Sequence, residues 1–185
     1  SPNPRLYYRT DVINAASHPP LAACLARLAG RMPHEIVWDP FCGSALELAE
    51  VALMGGIDQV IGTDIDPEAL AIGQKNFAAA KIAGTKAAFY ACDFRDVAKI
   101  PELDRGKVSL VISNPPLGRR VRVPNMHGLF ADLFRLSSEV LRPGGRLVFV
   151  NPLRLESTDP TLRLETRFAV DLGGYECRVE VYRKR

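Results

Sequence analysis

The stretch Ser113-Asn-Pro-Pro-Leu-Gly118 follows an apolar run, Val108-Ser-Leu-Val-Ile112. Two adjacent prolines carry no backbone N–H and cannot continue a sheet ladder, so they end a strand. An amide side chain set directly before such a stop stands at the strand's carboxyl end. Three acids take equivalent places: Asp39 after Glu35-Ile-Val-Trp38, Asp64 after Gln59-Val-Ile-Gly-Thr63, and Asp93 after Ala87-Ala-Phe-Tyr-Ala91 and Cys92. In open sheets whose strands alternate with helices, ligands bind outside the carboxyl ends of the strands. Asp39, Asp64, Asp93 and Asn114 therefore mark one candidate site.

Asp39-Pro40-Phe41-Cys42-Gly43-Ser44 reads as a strand-to-helix turn with one glycine. The glycine lets backbone approach a ligand, and the helix beyond offers free N–H groups. The same pattern also describes an ordinary turn of this kind, with Asp39 as its cap. Asp64 lies 25 residues after Asp39, the arrangement in which a carboxylate accepts hydrogen bonds from ribose hydroxyls. No G-x-G-x-x-G is present, which disfavours a pyrophosphate-bearing dinucleotide. A nucleoside with a sulfonium tail needs the ribose acid but no phosphate cradle. Asp66, placed before Pro67, is the competing acid and reads as a helix N-cap.

The elements that must position these residues follow from periodicity. Leu21, Leu25 and Leu28 recur at helical spacing after His18-Pro-Pro20, with Gly30 as the stop. Helices are expected over Ala45–Met54, Ala69–Ala83 and Gly128–Leu141, the last stopped by Arg142-Pro-Gly-Gly145. Strands are expected at Glu35–Trp38, Gln59–Thr63, Ala87–Ala91, Val108–Ile112 and Arg146–Val150. Alternation on both sides of Gly173-Gly174 predicts a hairpin of Arg167–Leu172 with Tyr175–Arg183. The fold class is α/β: a doubly wound, mostly parallel sheet with helices on both faces and a C-terminal antiparallel hairpin.

The 185 residues suffice for one domain with a sizeable core. Apolar residues make up 47% and charged residues 24%, which argues against bulk disorder. No apolar run approaches the ~20 residues that cross a bilayer. The expected division is a helical lead-in over 1–30 and a catalytic domain over 31–185. The start, Ser1-Pro-Asn-Pro-Arg5, lacks a Met and a signal-peptide pattern, so the expectation is a fragment of something longer.

Cys24, Cys42, Cys92 and Cys177 form no C-x-x-C pair, and with three His residues they do not suggest a metal site. They are expected to be reduced, mostly buried thiols of a cytoplasmic protein. Without G-x-S-x-G, and with His18, His34 and His127 in poor company for a triad, hydrolase chemistry is disfavoured. Residues 1–100 hold 9 Lys/Arg against 11 Asp/Glu, whereas residues 101–185 hold 15 against 10. Arg119, Arg120 and Arg122 follow the Asn-Pro-Pro motif directly. This asymmetry suits a phosphate-bearing partner, though a solvated loop and tail would carry the same charge.

Taken in order, DPFCGS, GTDIDPEAL, CDF, NPPLG and LRPGGRLVFV resemble the class I S-adenosylmethionine-dependent methyltransferases. The branch is the RNA guanine-N2 methyltransferases that usually carry an N-terminal THUMP domain, and the likeness spans most of the chain. NPP alone also occurs in adenine-N6 DNA methyltransferases and in glutamine methyltransferases of release factors. The resemblance implies a Rossmann-like seven-stranded sheet, S-adenosyl-L-methionine as cofactor, and RNA, foremost transfer RNA, as partner. It implies that Asp39, Pro40, Phe41, Cys42, Gly43 and Ser44 hold the methionine part of the cofactor and Asp64 the ribose. Ile65 would pack on the adenine, Asp93 with Phe94 would meet the adenine edge, and Asn114 would border the cofactor.

Asn114, Pro115, Pro116 and Leu117 would form the catalytic segment. The lone pair of a base's exocyclic amine is delocalised into the ring. The Asn114 amide oxygen and the Pro115 carbonyl would accept its two N–H groups and aim that lone pair at the methyl. A base within a duplex would first be flipped out. Arg119, Arg120 and Arg122 would contact RNA phosphates.

Two positions depart from the family's pattern. Leu117 stands where the family usually has Tyr or Phe to stack on the base; Phe41, His127 and Phe130 are candidates to supply another ring. Ala45-Leu46 replaces the usual Gly-Thr, and the Ala side chain would narrow the cofactor pocket unless its φ is negative. These departures leave open a cofactor- and RNA-binding module without turnover, or an N-methyltransferase for DNA adenine or protein glutamine.

Overall fold

The computed structural model describes residues 7–9, 18–118 and 123–185. Seven strands form one sheet in the order β3-β2-β1-β4-β5-β7-β6. They are β1 (Glu35–Asp39), β2 (Ile57–Asp64), β3 (Lys86–Ala91), β4 (Val108–Ser113), β5 (Leu141–Asn151), β6 (Leu162–Asp171) and β7 (Glu176–Lys184). Strands β1 to β5 pair in parallel, whereas β7 lies antiparallel to both β5 and β6. The doubly wound sheet with a C-terminal hairpin is therefore present. No helix among the described residues is long and apolar enough to cross a membrane.

Parallel strands covered on both faces must be apolar on both faces. All six residues of β4 are buried, and successive residues of β1 enter opposite layers: Val37 one core cluster, Trp38 the other. The first layer is made by α1 (Pro19–Ala29), α2 (Leu46–Leu53) and α3 (Pro67–Ala79). The second is made by α4 (Met126–Val140) with two short 3-10 turns, Phe94–Lys99 and Pro101–Leu103. Phe130, Phe134, Phe149 and Tyr182 pack edge-on or tilted within it.

Local signals fixed the element ends as expected in most places. Two prolines open α1 and Gly30 ends it at φ 70°. Asp66 caps α3, its Oδ1 accepting from Glu68 N–H at 2.9 Å and Ala69 N–H at 3.3 Å. The helices nonetheless begin or end a few residues away from the periodic runs, and α3 stops at Ala79 rather than Ala83. Arg142-Pro-Gly-Gly145 lies inside β5 rather than between a helix and a strand. Leu141 pairs with Val108 and Arg146 with Leu110, so the chain bulges between them, with Gly144 at φ 79°.

At the opposite edge of the sheet from the strand ends considered above, Arg146 forms a buried ion pair with Glu35 (2.7 Å, side-chain exposure 2% and 0%). Its Nε also donates to the Ala29 carbonyl at 2.8 Å, tying the end of α1 to β1 and β5. The four cysteines are free thiols: Cys42 and Cys177 are buried, Cys92 is half-buried and Cys24 is exposed.

Candidate functional site

The carboxyl ends of β1, β2 and β4 bring Asp39, Asp64 and Asn114 to one edge of the sheet, as the parallel pairing requires. Asp39 is fully buried. Its Oδ1 accepts from the Ser113 hydroxyl at 2.6 Å and from the Phe41 N–H at 3.0 Å. Its Oδ2 is buried with no hydrogen-bond donor among the described residues. Burial, followed by the carboxylate of Glu47, holds the Asp39 carboxyl well above its ordinary range, against the opposing pull of Ser113 and Phe41. A buried carboxylate oxygen without a donor costs free energy unless a ligand supplies one. A cationic ammonium, which carries N–H donors, is the ligand chemistry that this setting favours.

The 39–45 turn is held from three sides. Thr63 accepts from the Trp38 indole N–H at 3.2 Å and donates to the Pro40 carbonyl at 3.0 Å, while its own carbonyl accepts from Cys42 N–H at 2.9 Å. The Asp64 carboxylate takes one N–H on each oxygen, from Gly43 at 2.8 Å and from Asp66 at 2.9 Å. Each oxygen retains acceptor capacity for a diol hydroxyl. Burial moves Asp64 upward in pKa, opposed chiefly by those two amides. From α3, buried Asn76 donates its Nδ2 to the Ser44 carbonyl at 3.1 Å.

Ala45 sits at φ 58°, in the left-handed region, and precedes α2 without a side-chain cap. The negative φ that would have turned its side chain aside is absent, so the methyl is buried against the α3 surface. Gly73 on α3 explains how the turn still fits. A Cβ there would lie 2.5 Å from the Gly43 carbonyl oxygen and 3.3 Å from the Ala45 methyl. Replacing an interior helical glycine with alanine ordinarily gains about 0.5–1 kcal/mol. Here the contact is with backbone, and overpacking of this kind costs about 1–3 kcal/mol. Gly73→Ala is therefore expected to lower stability by about 1–2 kcal/mol in urea denaturation and to weaken cofactor binding in calorimetry. A higher melting temperature with unchanged affinity would refute this.

Ile65 is 76% exposed directly after Asp64, an apolar side chain offered to solvent beside a carboxylate. Across the site, Phe41 packs on buried Phe94, with ring centres 4.7 Å apart. Asp93 caps the first 3-10 turn by accepting from Arg95 N–H at 2.9 Å, and pairs with the Arg95 guanidinium at 3.1 Å. Asp93 thus closes an Asx turn, and its carboxylate keeps further lone pairs for another donor.

Asn114 is half-buried and Pro115 buried, directly after the Ser113 that holds Asp39. Leu117 packs half-buried against the first core layer. The three rings expected as substitutes lie in different settings. Phe130 is fully buried in the second layer, Phe41 is half-buried and packs on Phe94, and His127 is exposed on the first turn of α4. Arg119, Arg120 and Arg122 lie outside the described residues.

Ser113, Thr63, Glu47, Gly73 and Asn76 carry the site's support, and none was singled out from sequence. Glu47 alone leaves a legible trace, as an acid within the otherwise apolar Ala45-Leu-Glu-Leu-Ala49.

Comparison with known proteins identifies the family. The family described as UPF0020, RMKL-like, methyltransferase domain matches residues 7–159. Over 172 residues the chain is 31% identical to the tRNA (guanine(6)-N2)-methyltransferase of Thermus thermophilus, covering 90% of this chain and 49% of that protein. It is 27% identical to the tRNA (guanine(10)-N2)-dimethyltransferase of Methanocaldococcus jannaschii, covering 90% and 46%. The crystal structure of TrmN from Thermus thermophilus superposes with a TM-score of 0.77 at 28% identity, over 93% of this chain and 50% of that one. The chain thus spans about half the length of these relatives. The ordered strand-end acids, the pinned glycine turn and the family match together place this chain in the RMKL-like family of class I methyltransferases that use S-adenosylmethionine.

Proposed function

We propose that this chain is the catalytic domain of an RNA methyltransferase acting on the exocyclic N2 amine of guanine, with transfer RNA as its substrate class. The observation that carries the reading is the junction at the end of β4. There Ser113 holds the buried Asp39 of the cofactor turn, and the next residues are Asn114 and Pro115. The two relatives named above, both guanine-N2 enzymes of tRNA by name, support the choice of amine.

S-adenosylmethionine, when bound, supplies an electrophilic methyl on a sulfonium. Asp39 and the turn to Ser44 would hold its methionine part, Asp64 its ribose and Ile65 its adenine ring, while Asp93 with Phe94 would meet the adenine edge. The unpaired Oδ2 of Asp39 and the exposed face of Ile65 fit those roles. The Asn114 amide oxygen and the Pro115 carbonyl would accept the two N–H groups of the guanine amine and fix the direction of its lone pair. Proline rigidity keeps these acceptors in place, so the protein contributes positioning and electrostatics. No strong base is required, because the methylated ammonium product readily loses a proton.

Arg119, Arg120 and Arg122 would bind phosphates. Their triple replacement by Ala is expected to flatten the salt dependence of RNA binding by about one logarithmic unit per lost contact. An unchanged slope would remove them from the interface.

The absence of an aromatic at Leu117 favours a second reading, a module that binds cofactor and RNA without turnover. Methyl transfer from labelled S-adenosylmethionine to bulk tRNA, followed by nucleoside mass spectrometry, separates the two. N2-methylguanosine supports the first reading. Cofactor binding without transfer supports the second, and methylation of DNA adenine or a protein glutamine instead would overturn the substrate class.

A further inference from the structure

We infer that Tyr175, at the tip of the β6–β7 hairpin, is a positioning residue that tethers the Asn114–Leu117 segment. The inference of a catalytic consequence rests on the proposed role of Asn114 and Pro115 as amine acceptors. β5 and β6 are both antiparallel to β7 and so run the same way. The carboxyl end of β6, and with it the hairpin tip, therefore reaches the same edge as Asp39, Asp64 and Asn114. There the Tyr175 hydroxyl donates to the Leu117 carbonyl at 3.2 Å, across 58 positions of sequence.

A segment with two consecutive prolines lacks two N–H groups with which to fasten itself to its surroundings. Its backbone must be held mainly through its carbonyls, and Tyr175 supplies a donor to the carbonyl that follows the prolines. The donor is itself well fixed. Gly173 and Gly174 take left-handed φ values of 72° and 78°, and Leu172 N–H donates to the Tyr175 carbonyl at 3.0 Å to close the hairpin. Leu117, Val170, Leu172 and Tyr175 all pack half-buried on the same core layer. Immediately beyond Leu117, Gly118 turns the chain away at φ 77°. The tether therefore acts directly after the two prolines, and the aromatic residue beside Leu117 comes from the hairpin rather than from position 117.

Tyr175→Phe keeps the ring and removes the hydroxyl; Tyr175→Ala removes both. The test is amide hydrogen exchange of the peptide covering residues 111–118, alongside cofactor calorimetry, thermal melting and kinetics on bulk tRNA. For Tyr175→Phe the expectation is exchange of the 111–118 peptide, whose β4 amides are held in the ladder, raised up to about fivefold as the segment loosens by one lost hydrogen bond. The kcat should fall by a similar factor, with KM, cofactor affinity and melting midpoint near those of the wild type. Tyr175→Ala should exceed both effects. Unchanged exchange in Tyr175→Phe overturns the tether whatever the activity. Raised exchange with unaltered kcat overturns its catalytic consequence. If the wild type transfers no methyl to RNA yet the exchange responds as expected, the tether stands and the proposed reaction fails.

Discussion

Asn114→Ala is expected to lower kcat for methyl transfer to tRNA by about 10²–10³-fold, the magnitude seen when one preorganised hydrogen-bonding group is removed from a reacting centre. The reasoning is electrostatic and geometric. A guanine amine is poorly nucleophilic because its lone pair belongs partly to the ring, and two acceptors on its hydrogens are what would reorient it. In the proposed role one acceptor would be the Pro115 carbonyl, which is backbone and survives any side-chain change, and the other would be the Asn114 amide oxygen. Asn114 is only half-buried and the two prolines fix their own φ angles, so the alanine variant should retain the fold. Cofactor affinity should change by less than tenfold, because Asp39, Asp64 and their donors from Ser113, Gly43 and Asp66 remain. Asn114→Asp keeps an acceptor oxygen and should retain more activity than the alanine variant. Tritium transfer to bulk tRNA with calorimetry on the same samples checks both parts. An alanine variant within threefold of the wild type would remove Asn114 from the reaction.

The largest stability effect is expected far from this site. Glu35 and Arg146 form an ion pair with almost no solvent contact, and breaking such a pair by deleting one partner costs about 3–5 kcal/mol. Against a typical domain stability of about 5–15 kcal/mol, that is a large share. Glu35→Ala would leave the guanidinium charged and buried between α1, β1 and β5. Arg146→Ala would also strip the Ala29 carbonyl of its donor. At about 2–4 °C per kcal/mol for a chain of this size, each variant should melt about 10 °C lower. In a double-mutant cycle the second deletion should cost much less than the first, since the stranded charge is then gone. A loss below about 1 kcal/mol for Glu35→Ala, the range of an exposed ion pair, would contradict the assignment.

The placement of the candidate site's strand-end residues was legible because its signals are local. A proline pair ends a strand, an aspartate before a proline caps a helix, and a glycine admits close backbone approach; each acts within a few residues. The order of these signals along a chain of alternating strands and helices then brings Asp39, Asp64, Asp93 and Asn114 to one edge, since parallel strands share a direction. The support of the site was not legible. Thr63, Gly73 and Asn76 reach the 39–45 turn from β2 and α3, and Ser113 reaches Asp39 across 74 positions. A small or hydroxyl residue in an apolar run carries no mark of the backbone it will meet. Leu117 shows the same limit. Its departure from the expected aromatic is visible in sequence, but the tyrosine beside it belongs to another hairpin.

By itself, then, the sequence determined the order of elements, the strand-end acids and the amide before two prolines, because these follow from backbone sterics and period. The tertiary structure alone decided that Ala45 takes a left-handed φ against Gly73, that Glu35 and Arg146 neutralise each other inside the protein, and that Tyr175 meets Leu117. The physical reason is that burial and pairing between distant segments depend on which strands become neighbours and at what register, and the free energy of a charge or a hydroxyl is set by those neighbours rather than by the residues adjacent to it in the chain.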